Sequence, residues 1–83
     1  MGRRRERLLI TVEILNAAAK GIIKTHLLYS VGLSFEQLTR YLNFLKANGF
    51  IEMNGGLYHT TSKGMELISE FESSPLTHIV LAT

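Results

Sequence analysis

The sequence predicts an α+β domain, mostly α: three helices, a short β-hairpin and a closing C-terminal helix, all within one domain spanning residues 1–83. Three observations predict it. Apolar residues recur at helical spacing in four stretches. Ser34 stands three residues before Gln37 at the head of one of them, the pattern of a capping box. Asn54-Gly55-Gly56 separates two short β-prone runs, and such residues supply the positive φ that a tight hairpin turn demands.

The first helix is expected over residues 4–19. Leu8, Val12, Leu15 and Ala19 form one stripe, while Ile10, Ile14 and Ala17 form a second on the far side. A lone surface helix needs one apolar stripe, so two imply burial on both sides. Lys20-Gly21 ends the helix with a basic residue and a glycine. A short second helix follows at about 24–31, with Leu27, Leu28 and Val31 on its apolar face. Gly32 breaks it and Leu33 plugs the turn. Ser34 caps the third helix, which runs to Asn48-Gly49. Leu38, Tyr41, Leu42 and Leu45 face inward; Glu36, Thr39, Arg40, Asn43 and Ala47 face outward, with Phe44 at the border. Phe50 to Met53 and Leu57 to Thr60 are the strands. Thr61 caps a fourth helix at about 62–73, whose Gly64, Leu67, Ile68 and Phe71 face the core, and Ser73-Ser74-Pro75 ends it.

That order of elements makes a winged helix-turn-helix, whose reading unit is the second and third helices with the Gly32-Leu33-Ser34 turn between them. Double-stranded DNA is the partner this unit implies, with helix 34–48 in the major groove. Arg40 and Asn43 are the candidates for base edges, because Arg reads guanine and Asn reads adenine by two hydrogen bonds. Thr39 shares that face, and Glu36 would accept a cytosine amino group or restrain Arg40. Lys24 and Thr25 open the second helix, where free N–H groups and positive charge suit a phosphate. Lys20, Lys46 and the arm Arg3, Arg4 and Arg5 are further phosphate candidates. The hairpin tip carries no cation, so it is expected to add little affinity.

The same residues resemble a known family. Gly21-Ile22-Ile23-Lys24-Thr25-His26-Leu27-Leu28-Tyr29 looks like its second-helix opening. Leu33-Ser34-Phe35, Tyr41-Leu42, Leu45, Gly49-Phe50-Ile51 and Thr61-Ser62-Lys63-Gly64 continue the pattern in order, over about residues 5–72. The family is the small archaeal winged-helix DNA-binding proteins, of the ten-kilodalton chromatin protein type. The resemblance implies a DNA-binding homodimer acting as a transcriptional regulator or chromatin protein. Its members often pair through an extended C-terminal helix, which Pro75 interrupts here.

Charge is consistent with a polyanion partner on one side. Residues 1–49 hold eight basic and three acidic side chains, net +5; residues 50–83 hold one basic and four acidic, net −3. A chain of 83 residues buries a small core, and with no cysteine it has neither disulfides nor thiolate metal sites to reinforce it. Pairing between copies is the expected supplement. Ile10, Ile14 and Ala17, with Ile79, Val80 and Leu81 of the tail, are the expected interface of a two-fold homodimer. The scattered His26, His59 and His78 make no metal cluster, and no catalytic triad, paired carboxylates or phosphate loop is present. No enzyme, cofactor or metal is therefore expected. The start, Arg3 to Ala19, superficially resembles a signal peptide, but Glu13 and Asn16 interrupt its apolar run, and no run reaches the ~20 residues of a membrane span. A cytoplasmic protein is expected. The rival reading is a winged helix that binds another protein and not DNA, favoured by the net charge of only +2, the uncharged wing and the apolar tail.

Overall fold

The computed structural model describes residues 3–73, and side chains from Glu6 onward. The elements are α1 (Arg3–Ala17), α2 (Lys24–Val31), α3 (Phe35–Ala47), β1 (Ile51–Asn54), β2 (Leu57–Thr60) and α4 (Ser62–Ser73). This is the mostly helical α+β architecture read from the sequence, with α1 ending two residues earlier than its apolar pattern. The tail residues Ile79, Val80 and Leu81 and the side chains of Arg3, Arg4 and Arg5, to which contacts are assigned above, lie outside the described residues.

One core serves all six elements. Val12, Ile14, Leu15 and Ala18 meet Leu27 of α2, Leu38, Leu42 and Leu45 of α3, Ile51 and Tyr58 of the hairpin, and Ile68 of α4. Each fully buried leucine stabilises the fold by about 1.5–3 kcal/mol relative to exposure. The two apolar stripes of α1 arise because this helix packs against α2, α4 and β2. This corrects the assignment of Ile14 to a dimer face: its side chain is fully buried within its own chain. Ile10 and Ala17 are half-buried against the core, so the open part of that stripe is narrower than the pattern implies. Tyr41 is likewise half-buried.

The hairpin pairs antiparallel with Asn54 opposite Leu57, leaving a two-residue loop. Gly55 and Gly56 have φ of 60° and 81°, the pair of positive values that matches the twist of the flanking strands. A third extended segment, absent from the sequence reading, joins this hairpin. Ile22 bridges Tyr58 antiparallel, with N–H to O=C distances of 3.0 Å from Ile22 and 2.8 Å from Tyr58. The Thr60 hydroxyl donates to Leu15 O at 2.6 Å, and Thr60 N–H donates to Ala18 O at 3.1 Å. The hairpin is thus fastened to the end of α1 and to the connector before α2.

Candidate nucleic-acid interface

The start of α3 is fixed by local chemistry. The Ser34 hydroxyl accepts from Gln37 N–H at 3.1 Å, and the Gln37 carboxamide oxygen accepts from Ser34 N–H at 3.1 Å, which satisfies two otherwise orphaned donors. Gly32 ends α2 in the left-handed conformation, φ 66°, and its N–H donates to Leu28 O. The two helices are then joined across the turn by Lys24. Its ammonium donates to the Thr39 hydroxyl at 2.9 Å and sits 4.1 Å from the centre of the Phe35 ring. The Thr39 hydroxyl in turn donates to Phe35 O at 2.9 Å. Lys24 and Thr39 are therefore engaged with each other inside the reading unit, where the sequence reading gave Lys24 to a phosphate and placed Thr39 on the outer face of α3.

The inner face of α3 is complete. Leu38, Leu42 and Leu45 are at most 1% exposed, and they fix the rotation of the helix. The opposite face is bare: Glu36, Arg40, Asn43, Lys46 and Ala47 are all exposed. Glu36 and Arg40 form an ion pair at 2.8 Å one turn apart, with side chains 78% and 74% exposed. A pair so open to water contributes only about 0.3–0.5 kcal/mol, so it orients Arg40 without committing it. Thr25 is exposed in the first turn of α2.

Two further basic residues lie beside this surface: Lys63, to which the pattern analysis gave no role, and Arg7, the last arginine of the N-terminal run. Lys63 donates to Asn48 O at 2.8 Å and lies 5.0 Å from the Phe50 ring centre, at the carbonyl-rich end of α3. Arg7 of α1 lines a hollow together with Arg40, Thr11, Gln37, Tyr41 and Phe44. Neither could be placed without knowing how α1 and α4 pack. The wing tip, Asn54 to Gly56, is exposed and carries no charge. Among the described residues, no three His, Asp or Glu side chains gather to hold a metal ion, and no helix is long and apolar enough to cross a membrane.

Helices joined by a left-handed turn, an outward-facing third helix and a hairpin behind it agree with a comparison of families, in which residues 4–77 match the model for the winged helix-turn-helix. The chain belongs to the winged helix-turn-helix family. Domains of this family are in general DNA-binding and not enzymatic. Two archaeal relatives are similar to this winged helix, both uncharacterised proteins of Methanocaldococcus jannaschii. One is 33% identical over 70 residues, which is 83% of this chain and 33% of the relative. The other is 34% identical over 61 residues, 72% of this chain and 63% of the relative. The chain therefore spans about a third of one relative's length and less than two thirds of the other's.

Proposed function

We infer that this winged helix binds double-stranded DNA, as a cytoplasmic transcriptional regulator or chromatin-type protein, with α3 in the major groove. The bare outer face of α3 carries the reading: a helix locked in rotation by three buried leucines presents Arg40 and Asn43 to solvent with nothing packed over them. Arg40 and Asn43 would meet base edges, with Glu36 setting the direction of Arg40. Thr25, Lys46 and the arginine arm would meet phosphates. Lys24 and Thr39 would act from within, by holding α2 and α3 at a fixed angle. A homodimer would place two such helices on successive half-sites.

Mobility-shift titration on random duplex DNA at several salt concentrations tests this. Affinity should fall as salt rises, with a log–log slope of about −0.9 per phosphate neutralised and roughly six to eight phosphates per dimer. A slope near zero, or no shift, would reject the reading. A protein-interaction role is the second reading, favoured by the exposed apolar side chains Phe35, Phe44 and Met53 and by the uncharged wing. It predicts no duplex binding even at low salt.

A further inference from the structure

An open hollow lies between α1 and α3. Its volume is about 560 Å³, within the ~300–1,000 Å³ of ligand pockets. Arg7 and Thr11 lie one turn apart on α1, and Gln37, Arg40, Tyr41 and Phe44 form one stripe at helical spacing on α3. Two guanidinium groups therefore share a cleft with two aromatic rings. Thr11 belongs to the floor: it is 8% exposed, the one buried polar residue among those described, and it lines the hollow. The Phe44 side chain is 57% exposed, a large apolar surface open to solvent.

We propose that this hollow binds a planar organic anion, an aromatic carboxylate, and that its occupant competes with DNA for Arg40. The carboxylate is held by the forked guanidinium of Arg7 or Arg40, the geometry that favours bidentate pairing. The aromatic body lies against Tyr41 and Phe44, and Thr11 and Gln37 supply directional hydrogen bonds. Arg40 stands on both surfaces: it lines the hollow and it sits on the bare face of α3. Its only hydrogen bond among the described residues is the exposed pair with Glu36, which a second carboxylate can replace. An Arg40 drawn toward the hollow is withdrawn from the groove. The competition rests on the DNA reading above; the site itself does not.

The test uses the full isotopically labelled chain, without DNA, titrated with 2-naphthoate, with the neutral 2-naphthamide and with inorganic phosphate, followed by amide chemical shifts. Saturable shifts confined to residues 7–11 and 37–44 are expected for naphthoate, with Kd about 1 mM or below. The amide should bind about tenfold more weakly, and phosphate should produce no saturable shift there. Arg7→Gln and Phe44→Ala should each weaken naphthoate by about tenfold while leaving the rest of the spectrum in place. No saturable shift, equal binding of the neutral amide, or equal binding by both variants would overturn the site. Shifts that follow protein concentration and not ligand would also overturn it, by marking this flank as a contact between copies. A separate titration of duplex DNA with saturating naphthoate should raise the Kd for DNA several-fold; an unchanged Kd would overturn the competition. Failure of the chain to bind DNA without naphthoate would count against the DNA reading alone.

Discussion

Replacing Gly64 by alanine should be among the most damaging single-methyl changes in this protein. Gly64 lies in the first turn of α4 and is buried. A β-carbon there would collide with the carbonyl oxygen of Phe50 and lie 2.6 Å from the Thr60 methyl. Neither neighbour can swing aside. Phe50 O accepts from Thr61 N–H at 3.0 Å, and Thr60 is held at its hydroxyl by Leu15 O. Alanine favours a helix over glycine by about 0.5–1 kcal/mol. Against that stand overpacking, about 1–3 kcal/mol, and weakening of the Thr61 to Phe50 bond and of the Gly64 to Thr61 cap, about 1 kcal/mol each. The net loss is about 2–4.5 kcal/mol, out of roughly 4–12 kcal/mol for a domain of this size. Circular dichroism during urea titration should show the midpoint falling by about 2 M or more, with Tm lower by about 10–30 °C. Gly55→Ala is the comparison: open space surrounds it, and its φ of 60° alone should cost only about 1 kcal/mol. A Gly64→Ala protein as stable as the parent, or more stable, would refute the reasoning, because it would mean that α4 does not approach the β1 end so closely.

Arg40→Ala should cost about 1–3 kcal/mol of binding on a preferred duplex selected from random sequence and less on random DNA, measured by competition mobility shift. Lys24→Ala should weaken both duplexes alike and lower stability by about 1 kcal/mol in denaturant, since it loses a part-buried hydrogen bond and the contact with the Phe35 ring. Ile10→Glu should dissociate a homodimer in sedimentation equilibrium with the fold intact, whereas Ile14→Glu should unfold the chain, because Ile14 is core. Thr60→Val should cost about 1–2 kcal/mol of stability by leaving Leu15 O without the hydroxyl it accepts from, read by thermal melting.

What the sequence made legible is what short-range chemistry determines. The capping box at Ser34 and Gln37, the leucine stripe of α3, the Thr61 cap and the glycine pair of the hairpin each depend on residues within one turn of one another. The bond between Lys24 and Thr39 spans fifteen positions and depends on the angle between two helices, which no local pattern encodes. The second stripe of α1 was visible, but its partner was not. The pattern says that a helix is covered on two sides without saying whether the cover is α4 of the same chain or another copy, and for Ile14 it is the same chain. The segment at Ile22 offered a faint signal, two β-branched residues after Gly21, too short to separate from a loop. Of the candidate interface, Glu36, Arg40 and Asn43 were legible from spacing. The nearness of Arg7 to Arg40 was not, because it is a property of packing.

The clasp between Ile22 and Tyr58 also decides what the smallest working piece of this protein can be. Between those two residues the chain leaves the sheet, makes α2, the turn and α3, and returns through β1. The helix-turn-helix is thus a closed excursion whose two ends are knotted together by a pair of backbone hydrogen bonds, and the entropy of closing that loop is offset only when β2 arrives. A chain terminated after Gly49 would keep every residue proposed to touch a base, and the Lys24–Thr39 bond between the two helices, but would lose the fastening at Ile22. Recognition chemistry and structural closure therefore sit on different segments. The uncharged wing, which adds no cation to the groove, is needed as the segment that closes this excursion.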